Sequence, residues 1–498
     1  MLIRTLATGL LACVATSSLS ATTSTPDWPT LAVADIETAY IETRDNHPGM
    51  FDPKNPDFPK LLNQARTEAM KLARKARNAA GFAASLTRFK AVLNDGHAGA
   101  YASLPDEMSP PIKWPGFVAA WRGNAMYVFK SASGDVPEGA QIISCDKQSV
   151  RTLVEHSYFR FANGREIPGE WWSSARRLFV DDGNPFVTLP KACRFRHNGK
   201  DISRTLSWSA VPDYYQAWRN GSANGDLLPI GMVERAPRIF WYALPDFQPD
   251  EAGTAAYKQL YADTAANRAK LLGARAIVLD LRFNQGGSSN WSKMLAKRLW
   301  GEARVDRSLK EYFANIQTWW RPTKGNLAAV KEFMPLLERQ GDPDSVALIK
   351  MFVPIFEAAV KRGDKYLVEP DIPESADAAQ VNEPVELKTP VYVIVPGQCA
   401  SACLDAIDYF KRFPNTKLIG APSSADSTYM EVRNSKLPSG MAYAIIPMKM
   451  YVDRPRGKGV FYQPDIELRD FDWSTANFLK RIEADLVQQK VLGKERQQ

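Results

Sequence analysis

The chain has 498 residues, 45% of them hydrophobic and 24% charged, an ordinary globular composition with length enough for two to four domains. Its net charge of +8 comes from 63 basic against 55 acidic residues spread without a long basic block, which argues for solubility and against a nucleic-acid partner. Past the N-terminus no stretch reaches the ~20 apolar residues that a membrane helix needs, so no transmembrane segment is expected in the mature chain.

Residues 1–21 read as a secretory signal peptide: a charge at Arg4, an apolar run from Thr5 to Ala15, then small residues to Ala21. An exported, periplasmic protein is expected; secretion, or a lipid anchor on Cys13, is the alternative. From 27 to 110 the apolar spacing predicts a helical domain, with helices over Ala32–Arg44, Phe58–Arg77 and Gly81–Leu93. It ends in Asn94-Asp95-Gly96-His97-Ala98-Gly99, where glycines release the chain and leave His97 on a turn. Residues 111–212 turn to short β-branched and aromatic runs broken by Gly and Pro. Within them Val136–Asp146 resembles the strand-turn segment of PDZ domains, with an apparent insertion over Arg160–Asp182; a plain small β domain is the other reading.

From 236 to 472 strands and helices alternate, the mark of an α/β core, with strands at Ala276–Leu281, Val391–Val395, Lys417–Ile419 and Ala442–Pro447. A mostly helical insertion spans about 305–385, of the kind that forms a lid or wall over a site. A closing helix occupies 473–498. Beyond Cys13 the cysteines are Cys145, Cys193, Cys399 and Cys403, an even number suited to an oxidising compartment. The expected pairs are Cys145 with Cys193 and Cys399 with Cys403, with free thiols the alternative for the second. No metal-ligand spacing occurs, and no cofactor is expected.

A serine becomes a nucleophile only when a base takes its proton and donors hold the oxyanion that forms. Ser401, in Cys399-Ala400-Ser401-Ala402-Cys403, stands where the strand Val391–Val395 gives way to a helix, between small neighbours that leave room for substrate. A serine there commonly serves as an N-cap. Asp280-Leu281-Arg282-Phe283-Asn284-Gln285-Gly286-Gly287 also follows a strand, and its paired glycines expose amides that could meet an oxyanion or simply make a turn.

In this order, Asp280-x-Arg282-x-Asn284-x-Gly286-Gly287, Ala400-Ser401-Ala402 and Gln463-Pro464-Asp465-Ile466 resemble the C-terminal processing, or tail-specific, serine peptidases. The resemblance implies a crotonase/ClpP-like α/β core carrying an N-terminal helical domain and a PDZ-like domain. It implies Ser401 as nucleophile of a serine endopeptidase or C-terminal processing peptidase, and the amides of Ala402 and of Gly286 or Gly287 as oxyanion hole. One branch of the family uses a lysine about two dozen residues after the nucleophile, where this chain has Asp426. The tricorn-like branch uses a histidine in an Asp-Gly-His turn, which Asp95-Gly96-His97 matches. That makes His97 the expected base, ahead of His47 and of Lys449 on an alternating strand. For the residue orienting the imidazole, Asp426, Glu431 and Asp453 all stay open. The expected substrate is an extended peptide or unfolded protein tail; a catalytically inactive peptide- or ligand-binding protein on the same fold is the rival reading.

Overall fold

The computed structural model describes residues 26–340, 343–370 and 384–495, so the signal segment with Cys13 lies outside the described residues. At the centre is a six-stranded sheet in the order Gly231–Ala236, Ile239–Ala243, Ala276–Asp280, Val391–Val395, Thr416–Gly420, Ile466–Glu467. Its first pair is an antiparallel hairpin and every later pair is parallel. Strands buried on both faces read as continuous apolar runs, and Ala276–Asp280 and Val391–Val395 do so.

Alternate side chains of these strands feed two separate cores. Ile277, Leu279, Val391 and Val393 pack with Leu295, Leu299, Trp300 and Phe410, from the helices Asn290–Trp300 and Ala402–Phe410. On the other face Val278, Tyr392 and Ile394 pack with Trp473, Phe478, Ile482 and Leu486, so the C-terminal helix Thr475–Glu495 covers that side.

A second sheet is built around the long strand Ala442–Val452. Tyr429–Lys436 pairs along one edge, while Gly99–Ala102 and Gln317–Trp320 share the other, one at each end; every pairing is antiparallel. The expected fourth strand therefore exists and is longer, but it belongs to this sheet and not to the parallel one. The N-terminal helices Trp28–Asn46, Phe58–Ala73 and Ala79–Leu93 close their core only against it: Ile36, Phe82 and Phe89 pack in one cluster with Tyr429, Ala444 and Ile446. The segment after residue 305 is likewise tied in through Gln317–Trp320. Its helices Lys324–Gln340 and Pro343–Arg362 meet around Trp320, Val330, Phe352, Phe356 and Met448.

Residues 117–205 form an antiparallel sheet in the order Phe117–Arg122, Ala125–Ser131, Gln141–Cys145, Ala192–His197, Lys200–Thr205. Cys145 and Cys193 are directly opposed in it and disulfide-bonded. The excursion between the third and fourth of these strands carries the helix Pro168–Ser174 onto the central domain. A Cβ on Gly169 would lie 2.3 Å from the Ser423 carbonyl and 2.4 Å from the Gly397 oxygen, so only glycine allows this contact.

Candidate active site

The chain leaves Val391–Val395, turns at Pro396-Gly397-Gln398 and enters the helix Ala402–Phe410 through Ser401. Ser401 has φ 54° and ψ −129°, a conformation that costs a non-glycine residue about 1–3 kcal/mol. Its side chain makes no capping bond, so the hydroxyl is not spent on the helix end. A disulfide from Cys399 to Cys403 brackets the corner, with α-carbons 5.3 Å apart.

Main-chain hydrogen bonds fix the corner further. Ser401 N–H donates to both oxygens of Asp426, at 2.9 and 3.0 Å. Asp426 Oδ2 also accepts from Arg456 Nη1 at 2.9 Å. Arg456 in turn donates to Asp408 at 2.9 Å and pairs with Asp405, which Arg454 also meets. Burial opposes the charge on Arg456, but Asp408, Asp405 and Asp426 outweigh it and raise its pKa above the ordinary guanidinium value. Burial likewise opposes the charge on Asp405; Arg454 and Arg456 overcome it and hold that carboxyl below its usual range.

The glycine loop lies against Ser401. A Cβ on Gly286, whose φ is +111°, would come 2.7 Å from Ser401 Cβ and 2.8 Å from the Ala400 oxygen. The polar residues of its motif have structural tasks: Arg282 pairs with Asp280 at 2.7 Å, and Asn284 Nδ2 donates to the Leu244 carbonyl at 2.8 Å. Asn284 Oδ1 accepts Gly286 N–H at 2.9 Å, which commits the first of the two expected oxyanion donors. Among the described residues the amides of Gly287 and Ala402 donate to no backbone acceptor, the latter as the first residue of its helix.

His97 lines a cavity of about 1170 Å³, which Gly286, Gly287, Ser401 and Asp426 also line. Its backbone N–H donates to Asp95 Oδ1 at 2.8 Å, and its Nδ1 is buried with no partner. Asp95 Oδ1 accepts from Ser427 Oγ at 3.1 Å, and burial raises its carboxyl against the opposing pull of His97 and Ser427. Glu170, from the excursion helix, reaches the cavity as well: Ser424 Oγ donates to it at 2.6 Å, while burial raises its pKa. Burial lowers the pKa of Lys90, whose charge Asp95 and Glu170 favour.

The other expected candidates lie in different surroundings. Glu431 lines the cavity but pairs with Lys449 at 3.2 Å. Lys449 is not a lysine made basic by loss of charge: burial works against its ammonium, yet Glu431, Tyr451 and Glu369 outweigh it and raise the pKa above 10.5. Asp453 is exposed, pairs with Lys54 at 2.5 Å and does not line the cavity. His47 is also outside it. Its Nδ1 accepts Gly49 N–H at 2.9 Å, its ring stacks on Phe58, and burial pushes its pKa down to about 3. Glu170 and Arg456 carried no signal in the sequence, because a single charged residue on a two-turn helix or in a loop shows no periodicity; Asp95 and Asp426 were visible only as parts of motifs.

Residues 243–468 match the family model described as peptidase family S41. Among solved structures, mature CPAF is similar over 93% of this chain and 98% of its own, with 13% identity and a TM-score of 0.60. Mature CPAF complexed with lactacystin is similar over 93% and 99%, with 15% identity and a TM-score of 0.59. No curated protein matches the sequence. With the Gly286-Gly287 loop and Ser401 at adjoining ends of two parallel strands, residues 243–468 match peptidase family S41 in sequence, and the chain carries the fold of those peptidases.

Proposed function

We propose that the protein is an exported serine peptidase in which Ser401 attacks a peptide carbonyl, His97 takes its proton, and the amides of Gly287 and Ala402 hold the oxyanion. An acyl-enzyme on Ser401 then forms, His97 returns the proton to the leaving amine, and water completes the hydrolysis. The observation that carries this reading is the pairing, in one cavity, of an uncapped Ser401 hydroxyl at a strained corner with a His97 whose Nδ1 has no partner. Asp95 acts through the main chain, holding the turn that bears His97. The two disulfides are compatible with export, and among the described residues no helix is long and apolar enough to cross a membrane. The substrate is an extended peptide or protein tail. The β domain, PDZ-like in this reading, would add it as a strand to the exposed edge Lys200–Thr205.

A fluorophosphonate probe tests the chemistry. Wild type becomes covalently labelled, Ser401→Ala is not labelled, and His97→Ala reacts at least about 100-fold more slowly. An unlabelled wild type that still binds peptides would instead identify a binding protein on a peptidase fold.

A further inference from the structure

The slot in which a dyad lysine would stand holds Asp426, and its carboxylate grips the backbone of Ser401 instead of its hydroxyl. Both oxygens are engaged: each accepts Ser401 N–H, and Oδ2 also takes Arg456 Nη1. Arg456 is itself held by Asp408 and Asp405, and both belong to the helix that Ser401 begins. Asp405 reaches further, accepting a hydrogen bond from Ser289 Oγ at 2.5 Å, two residues beyond Gly287. One network, buried at Asp408, Asp426 and Arg456, thus joins the main chain of Ser401, the first turns of its helix and the adjoining glycine loop.

We infer that Asp426, clamped by Arg456, is a positioning residue: it holds the Ser401 backbone in its strained conformation so that Oγ and the Ala402 amide face the scissile carbonyl together. Removing the carboxylate lets the main chain relax toward an ordinary helix start, where Oγ swings to the capping position and the amide of Ala402 turns with it. Through Asp405 and Ser289 the same clamp keeps the Gly287 amide in register with that of Ala402. An acid that orients the imidazole would need an oxygen directed at His97, whereas the polar partners of Asp426 are Ser401 N–H and Arg456. The inference rests on the reading of Ser401 as nucleophile.

The test is the rate of fluorophosphonate labelling, measured against pH on the full mature chain, for wild type, Ser401→Ala, Asp426→Ala and Asp426→Asn. For Asp426→Ala the maximal labelling rate is expected to fall about 100-fold, with probe affinity within about twofold and the midpoint of the acid limb unmoved. Asp426→Asn keeps an oxygen for Ser401 N–H but loses the charge that Arg456 clamps, and is expected to recover to about tenfold below wild type. A labelling rate for Asp426→Ala within about threefold of wild type overturns the inference, as does a shift of the acid midpoint beyond about half a unit in Asp426→Asn, which would make Asp426 the imidazole's partner. If the alanine variant does not fold, Asp426→Asn decides: a rate about tenfold down at an unmoved midpoint supports the clamp, and a rate equal to wild type overturns it. Unlabelled wild type, or labelling that survives Ser401→Ala, overturns the peptidase reading and the clamp with it; Ser401-dependent labelling untouched by Asp426→Ala overturns the clamp alone.

Discussion

The two bonds from Ser401 N–H end on an ionised acceptor, and a hydrogen bond to a charged group contributes about 1.5–3 kcal/mol, comparable to the strain at Ser401. The corner is therefore held by its surroundings and not by local preference. His47 illustrates the opposite use of an imidazole. Its folded pKa of about 3 lies below the value near 6.5 of an exposed histidine, so between those limits the unfolded chain binds the extra proton. Stability contributed by neutral His47 is present above pH 6.5 and is lost on acidification toward 3, at about 1.4 kcal/mol per unit. In urea titrations from pH 7 to 4.5, wild type should lose stability more steeply than His47→Gln, although the variant starts lower; equal slopes would show that His47 charges freely in the fold. The sequence signals both histidines as candidates, but whether such a ring is buried or set in a cavity depends on Phe58 and Tyr429 in one case and on Ser427 in the other. Of these, Tyr429 and Ser427 are more than 300 residues away in the chain.

Among the elements, the two disulfides close loops of very different length. In the chain-entropy account Cys145–Cys193, 48 apart in sequence, contributes about 4 kcal/mol, and Cys399–Cys403, four apart, about 2 kcal/mol. Cys145→Ser with Cys193→Ser should therefore lower the urea midpoint more than the Cys399→Ser, Cys403→Ser pair does. The second pair should slow labelling at Ser401 more than the first. The reverse ranking in both assays would show that the corner needs no brace. The parallel strands were legible because burial on both faces leaves an uninterrupted apolar run, as in Val391–Val395. The helices before residue 94 were legible by their periodic Ala, Leu and Phe, as in Phe82, Leu86, Phe89 and Leu93. Gln317–Trp320 was missed inside a helical insertion: it is four residues long, and only pairing with Lys449–Val452 on one side and Leu367–Val368 on the other makes it a strand.

At the scale of the molecule the cavity gathers residues from 94–97, 163–170, 245–248, 283–289, 400–432 and 458–461 with Phe333 and Tyr451, contributed by the helical region, the β-domain excursion, the helical insertion and the central domain. Although the chain carries +8, this wall is acidic: Glu166, Glu170, Asp246, Asp405, Asp426 and Glu431 line it against Lys458 alone among the described lysines and arginines. Arg454, Arg456 and Lys449 neutralise three of these carboxylates from behind, whereas Glu166 and Asp246 have no ion-pair partner among the described residues. Peptides with Lys or Arg beside the scissile bond should be cleaved about tenfold faster than acidic counterparts at low ionic strength, an advantage that shrinks above about 0.1 M salt. A panel of quenched fluorogenic peptides would measure this, and a preference for acidic peptides would refute it. The sequence by itself determined the α/β core, the helical start, the strand-to-helix corner at Ser401 and the glycine loop, because apolar periodicity and glycine placement are local properties of a chain. Only the tertiary structure decided that Asp426 holds the backbone of Ser401, that Gly286 is already bonded, and that Glu170 reaches the cavity, because each depends on partners brought together from distant segments by packing.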